Sequence, residues 1–163
     1  MTTLRREFER FINRHGRIVL VAHTNKKLHC DCWNPTTDEG DPECPKCFST
    51  GWIYHFFLTQ TRREEVAMKW DKLDLSDEIK AHTTSYKYFF KPNVPIYTHD
   101  FVFEFNLNTQ KGIEKIIVRN DDLKTGEIDD DVYKVVLTNK ISINNSKIQN
   151  YLKSILNREL KEV

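Results

Sequence analysis

The chain has 163 residues, of which 39% are hydrophobic and 12% aromatic, with 25 basic and 24 acidic residues. This length and composition fit one globular domain with a real core and exclude a disordered chain. The net charge of +1 excludes a strong overall attraction to nucleic acid or to a membrane surface.

The first predicted element is an amphipathic helix over residues 2–14. Four large apolar residues lie on one helical face, with arginines around them: Leu4, Phe8, Phe11 and Ile12. Gly16 is typical of the residue that ends a helix. A short strand is predicted over residues 17–23, which read RIVLVAH.

Residues 29–51 form a polar segment without periodicity, and the predicted strands follow it. Five segments show strand patterns: 52–58, 86–90, 101–105, 113–119 and 132–138. Residues 61–79 fit either period, and we interpret them as strand and turn. A polar turn that contains Asp121 and Asp122 is expected between the last two strands.

The last segment changes to a helical period. One apolar face is formed by Ile148, Leu152, Ile155, Leu156 and Leu160. Ser146, followed three residues later by Gln149, fits a capping box at the start of this helix. The sequence therefore ends in a second amphipathic helix.

The order of helix, strands and helix predicts an α+β, mainly β fold: a small antiparallel β-barrel or sandwich with a zinc-binding loop insertion and helices at both termini. We expect a single domain over 1–163. Its parts are an N-terminal helix at 1–15, a zinc-loop insertion at 29–52, a β-barrel at 52–143 and a C-terminal helix at 145–162.

All four cysteines lie within one short segment: Cys30, Cys32, Cys44 and Cys47. Zinc prefers four soft ligands in a tetrahedron, and two close pairs joined by a loop can supply them. Pro45 and Gly51 favour the tight turns that such pairs need. The spacing therefore predicts one structural Zn²⁺ site with these four metal ligands.

Other states of the cysteines are two disulfides or four free thiols. Cys30 and Cys32 are too close for an easy mutual bridge. The N-terminus has no signal-peptide pattern, and a reducing cytoplasm disfavours disulfides. Either His23 or His29 could also replace one cysteine as a ligand.

Catalysis by the metal is disfavoured, because a catalytic zinc usually keeps an open position and four cysteines would close the site. Zinc deaminases carry H-x-E before P-C-x-x-C, but no Glu follows His23 at that spacing. We find no other catalytic or cofactor-binding pattern, so we predict that the protein is not an enzyme.

Charge is unevenly distributed along the chain. Residues 1–27 hold seven basic and two acidic residues, whereas 30–47 hold one basic and five acidic residues. The acidic segment should repel phosphate, so its aromatics Trp33, Phe48 and Trp52 are expected to pack beside the metal or anchor the loop. The basic N-terminal segment could still contact DNA. No apolar run is long enough to cross a bilayer, so no membrane partner is expected.

Several short motifs resemble a known group of proteins. They are CPKCFSTGW from Cys44, YKYFFKPNVP from Tyr86, HDFVFEF from His99 and DVYKVV from Asp131. Together they resemble the small virion proteins of tailed bacteriophages that complete the head or form the neck, including head–tail stopper-like proteins with a zinc knuckle. The resemblance covers about residues 15–140. Ser49 stands where a glycine is common in that knuckle.

The resemblance implies a non-enzymatic structural protein at the neck or tail junction of the virion, assembled in the host cytoplasm. Its partners would be other virion proteins, namely the portal or an adaptor above and tail components below. A homo-oligomeric ring is also implied. The alternative is a zinc-containing nucleic-acid-binding protein that uses the basic N-terminal helix, and a zinc enzyme is a third possibility.

Overall fold

The computed structural model describes residues 3–66, 85–97, 99–105, 115–125, 132–141 and 145–161. Two helices and six strands lie in this part of the chain. In chain order they are α1 (Thr3–His15), β1 (Arg17–His29), β2 (Trp52–Val66), β3 (Ser85–Phe90), β4 (Phe101–Glu104), β5 (Lys115–Thr125), β6 (Lys134–Ile141) and α2 (Ser146–Lys161).

The six strands form an antiparallel sheet. Their hydrogen-bonded order is β1-β2-β3-β6-β5-β4, and β4 pairs in turn with β1, so the order returns to its starting strand as in a closed barrel. The prediction of an α+β fold with an antiparallel sheet and a helix at each terminus is confirmed. The four cysteines lie in the loop between β1 and β2, as predicted.

The sheet has an apolar layer on each of its two faces. One layer contains Val19, Val21 and Val102 with the aromatic side chains of β3. The other contains Leu20, Ala22 and Phe103 with the apolar face of α2. Because successive side chains of a strand point to opposite faces, both faces of β1 and β4 are covered. This explains why β1 begins with a continuous apolar run rather than an alternating one.

Local hydrogen bonds mark the end of α1 and the start of α2. After α1, the backbone N–H of Gly16 donates to the carbonyl oxygen of Ile12 at 2.8 Å. A Cβ atom at Gly16 would lie 2.5 Å from that oxygen, so only glycine fits. In α2 the cap is Asn145, whose Oδ1 accepts from the N–H of Lys147 at 2.9 Å. The cap is therefore one residue before the predicted Ser146, and Ile148, three residues after Asn145, cannot complete a capping box there. Among the described residues, neither helix has the length and apolar character needed to span a bilayer.

Three strands are longer than predicted, and one of them is β2, which runs without a break to Val66 and so includes the first part of the segment interpreted as strand and turn. β1 continues to His29, which pairs with Trp52 after an irregularity in the ladder. β5 runs to Thr125, so the prediction of a turn at Asp121 and Asp122 is wrong, and these residues lie in a strand with shifted register. Residues 67–79, the rest of the segment interpreted as strand and turn, and residues 126–131, the rest of the predicted polar turn, lie outside the described residues.

Candidate metal centre

The four cysteine sulfurs come together in one cluster. All four Sγ atoms lie within 4.8 Å of one another. The Cys30 and Cys44 sulfurs are 3.8 Å apart, and those of Cys32 and Cys47 are 3.4 Å apart. Tetrahedral zinc with bonds of ~2.3 Å separates its sulfur ligands by about 3.8 Å. The cluster could therefore hold a metal ion such as zinc. Each of these two sulfur pairs contains one cysteine from the Cys30–Cys32 part of the motif and one from the Cys44–Cys47 part.

Backbone N–H groups surround the sulfurs. The Cys30 sulfur accepts from the N–H of Cys32, and the Cys47 sulfur accepts from the N–H of Gly51. The Cys44 sulfur accepts from the N–H groups of Cys47 and Lys46. Hydrogen bonds of this kind favour the thiolate, which is the form that binds a metal.

The surroundings of the thiols shift their pKa values in different directions. Burial raises the pKa of the Cys47 thiol, which is 0% exposed, and it also raises the pKa of the Cys30 thiol. At Cys44 burial opposes ionisation, but hydrogen bonds from the backbone N–H groups of Cys47 and Lys46 outweigh it and lower the pKa. Bringing the sulfurs together as thiolates in this partly buried site requires a cation, because their negative charges would otherwise repel one another.

The cysteine loop, residues 30–51, is held by its own backbone bonds. Its two ends meet where the N–H of Cys30 donates to the oxygen of Gly51 at 2.8 Å. Its middle is joined where the N–H of Gly40 donates to the oxygen of Ser49 at 3.0 Å. Asp41 begins the second cysteine turn, because its Oδ1 accepts from the N–H of Glu43 at 2.9 Å. Hydrogen bonds typical of turns, rather than those of a β-ladder, thus hold this segment.

Close approach and left-handed backbone constrain the turn beside the sulfurs. A Cβ atom at Gly40 would lie 2.8 Å from the Cys47 sulfur and 2.6 Å from the nitrogen of Gly51. Phe48, Ser49 and Gly51 have φ values of 52°, 65° and 76°. Only Gly51 adopts this region without cost, so the backbone is strained locally at Phe48 and Ser49.

Phe48 anchors the loop to the sheet. Its side chain is 8% exposed and lies in the apolar layer that α2 covers. Its ring centroid is 5.2 Å from that of Phe101 and 5.4 Å from that of Tyr54. Trp52 is half-buried against the same layer. The expectation that the loop's aromatics pack rather than project is confirmed for these two side chains.

The alternative ligands have other partners. The ring of His29 stacks between Trp33 and Trp52, with centroid distances of 3.8 Å and 4.2 Å. His23 Nδ1 lies 2.8 Å from Asp100 Oδ2. Among the described residues, the clustered ligand atoms are the four sulfurs alone. The sulfurs are also too far apart for disulfides, whose bond is about 2.05 Å.

The pair of His23 and Asp100 was not found from the sequence. The Asp100 side chain is 0% exposed and accepts backbone N–H bonds from Thr24 at 2.7 Å and Tyr97 at 2.8 Å. It joins β1 to the turn that precedes β4. The sequence signal that could have indicated this site is the position of Asp100, a carboxylate directly before the apolar run FVF.

A second buried carboxylate lies within β4. Glu104 Oε2 is 2.7 Å from Nη1 of Arg63 and 3.5 Å from that of Arg17. Its Oε1 accepts from the hydroxyl of Tyr88 at 2.7 Å. Burial, reinforced by the negative Glu104, raises the pKa of Tyr88. These four side chains satisfy one another, which is how a charged group is accommodated between apolar layers.

A cleft of about 720 Å³ lies between the cysteine loop and the sheet, and we call it the loop cleft. Trp52, Tyr54 and Phe101 form its aromatic wall, and the loop contributes Glu39 and Pro42. The cleft is thus apolar at its wall and acidic at the side of the loop.

No protein-family model matches the chain, and no curated protein sequence matches it either.

Proposed function

We propose that the protein is a non-enzymatic structural protein of a tailed-phage virion, a head-to-tail connector of the head-completion or stopper type, with one structural zinc ion. The observation that carries the metal part is the cluster of four sulfurs within 4.8 Å. The virion part rests on the resemblance of the motifs from Cys44, Tyr86, His99 and Asp131. The expected location is the neck of the virion, after assembly in the host cytoplasm.

A structural role for the zinc is supported by the ligand set. Four thiolates complete a tetrahedron and leave no position for water or substrate. The loop itself has few apolar contacts beyond Phe48, so bound metal would supply much of its folding free energy, on the order of 10 kcal/mol for such sites. With the metal bound, the loop would present a fixed acidic surface suited to contact another protein.

Two buried carboxylates among the described residues also support a structural role. The carboxylate of Asp100 and that of Glu104 are occupied by internal hydrogen bonds and ion pairs. Such pairs fix strands relative to one another. In a connector ring this rigidity would preserve the geometry of the contacts with portal and tail components.

Binding of nucleic acid is the second candidate, because α1 exposes Arg6, Arg10 and Arg14. It would use α1 rather than the cysteine loop, since the loop and a zinc tetrathiolate are both negative. DNA affinity should then fall steeply with rising salt.

Metal analysis tests the zinc part. The full chain, purified under reducing conditions without added zinc, should contain about one zinc per chain. Cys44→Ser should lose the metal, whereas Ser154→Ala on the exposed side of α2 should retain it. A clearly substoichiometric metal content, with thiols that react freely, would sink the zinc assignment.

Virion analysis tests the connector part. The protein should be detected by mass spectrometry in purified virions of the phage that encodes it. Antibody-linked gold should mark the junction of head and tail. Virions that lack the protein, together with salt-sensitive binding of the purified protein to duplex DNA, would favour the second candidate instead.

A further inference from the structure

We propose that α1 of one copy docks into the loop cleft of a second copy, so that the protein associates head to tail. This inference deepens the ring-forming role proposed above and rests on it for its biological meaning. Its physical argument uses two complementary surfaces of the chain, and it can be tested on the isolated protein.

The first surface is the exposed side of α1. Leu4 is 55% exposed and Phe11 is 37% exposed. They are seven residues apart, so they lie on the same side of the helix. The exposed arginines Arg10 and Arg14 flank them, and Arg62 of β2 lies 5.0 Å from the centroid of the Phe11 ring. This surface is an apolar strip with a basic rim.

The second surface is the loop cleft. Its wall is aromatic, and Glu39 lines it from the loop. The adjoining residues 30–47 hold five acidic residues against one basic residue. Two of these carboxylates, on Asp31 and Glu43, already pair with Lys46 and Lys147. Glu39 is exposed, and it is the acidic residue among the described residues that line the cleft.

The two surfaces match in kind. An amphipathic helix binds a groove through apolar anchors spaced at i and i+7, which is the spacing of Leu4 and Phe11. The basic rim of α1 would face the acidic side of the cleft. Opposite charges around an apolar centre give an interface its specificity and its rate of association. Duplex DNA would satisfy the arginines but would bury neither the exposed part of Leu4 nor that of Phe11 against an apolar surface.

A chain cannot fill its own cleft with its own α1. α1 precedes Arg17, which pairs with Thr61 at one end of the β1–β2 ribbon. The cleft lies towards the other end, beside Thr24 and Trp52. The seven residues from Arg17 to Thr24 span about 23 Å of strand. Docking therefore joins one end of a copy to the opposite end of the next, a contact that either closes into a ring or continues as a filament.

Charge reversal tests the contact in the full zinc-loaded chain. Sedimentation and light scattering should show that the wild-type protein self-associates. One variant carries Arg10→Glu and Arg14→Glu, and the other carries Glu39→Lys. Each alone should raise the Kd for self-association about tenfold or more, because like charges then face each other. Lys153→Glu, on the exposed side of α2, is the matched charge control and should have no effect.

Mixing the two variants gives the decisive result. The acidic α1 of the first fits the basic cleft of the second, and the unchanged α1 of the second fits the unchanged cleft of the first. Association should therefore return in the mixture, which also shows that both variants are folded. A mixture that stays monomeric overturns the head-to-tail contact.

Three further outcomes distinguish the head-to-tail contact, the ring and the connector role. A wild-type chain that stays monomeric, with the α1 variant impaired only in binding duplex DNA, would overturn this inference and support the nucleic-acid alternative. Charge-dependent association of a protein that virions lack would keep the contact and overturn the connector role. A wild-type oligomer insensitive to either variant would overturn the contact and keep the ring.

Discussion

Gly40 is the residue whose size is most tightly fixed by the sulfur cluster. In Gly40→Ala the new Cβ would lie 2.8 Å from the Cys47 sulfur and 2.6 Å from the backbone nitrogen of Gly51. Neither atom can move without disturbing a ligand, so we expect a loss of about 1–3 kcal/mol in unfolding free energy. Denaturant unfolding of the zinc-loaded protein measures it. Thr37→Ala, at an exposed loop position, should change stability by about 0.5 kcal/mol or less. Equal effects of both variants would contradict the close approach.

Ser49 isolates the strain of the turn after the last cysteine. Its φ of 65° favours glycine, and its hydroxyl donates to the oxygen of Phe48 at 2.6 Å. Ser49→Gly and Ser49→Ala both remove this hydrogen bond, but only glycine adopts the left-handed region freely. We expect the glycine variant to be more stable than the alanine variant by about 1 kcal/mol. Thermal unfolding of the pair provides the comparison, and equal midpoints would show that the turn carries no strain.

Tyr88 gives the fold a dependence on high pH. Burial raises its pKa, and burial also raises the pKa of Tyr54 to about 12. A raised pKa contributes stability below the ordinary tyrosine value of about 10, and that stability is lost as the pH rises above it. We therefore expect the unfolding free energy to fall from about pH 10 upwards.

The variant Tyr88→Phe should be about 1–3 kcal/mol less stable at neutral pH, because Glu104 loses its hydroxyl donor. Its stability should then fall less steeply at high pH. Tyr97→Phe is the control. The side chain of Tyr97 is 51% exposed, so removal of its hydroxyl should leave the pH profile unchanged. A wild-type profile that stays flat up to pH 12 would contradict the assignment.

At the scale of elements, one aromatic side chain joins the loop to the sheet. Phe48→Ala removes the ring from among Tyr54, Phe101 and Phe103. We expect a loss of about 3–5 kcal/mol, typical of a buried phenylalanine. Trp33→Ala removes an even larger aromatic ring system, but one that is half-buried and stacks on His29. Chemical denaturation should show a clearly smaller loss for Trp33→Ala, and the reverse order would place the anchor at the wrong residue.

The sequence predicted elements whose signal is local. The cysteine spacing specified the cluster, and the helical period specified both helices, because ligand geometry and apolar faces depend on near neighbours. β1 was predicted too short because its second half, TNKKLH, is polar and is held as a strand by pairing with β2. Asp121 and Asp122 were predicted to form a turn for the same reason, because they are polar residues within a strand. Partnerships across the fold, such as His23 with Asp100, depend on strand register, which the sequence pattern does not specify.

At the scale of the whole molecule, the two apolar layers differ in their dependence on the metal. One layer contains Phe48 of the cysteine loop. The other contains Val19, Val21 and the aromatic residues of β3, and among its described members none comes from residues 30–51. Loss of the metal should therefore release the loop and weaken the first layer while the second layer stays packed.

Removal of zinc by a chelator under reducing conditions tests this division. Amide hydrogen exchange should accelerate strongly over residues 30–51, while the amides of β3 and the paired part of β6 remain protected. The far-UV circular dichroism of the strands should change little, and added zinc should restore the slow exchange. Cys32→Ser should exchange like the chelated wild type with or without zinc. If β3 loses protection together with the loop, the metal supports the entire fold and the two layers form a single cooperative unit.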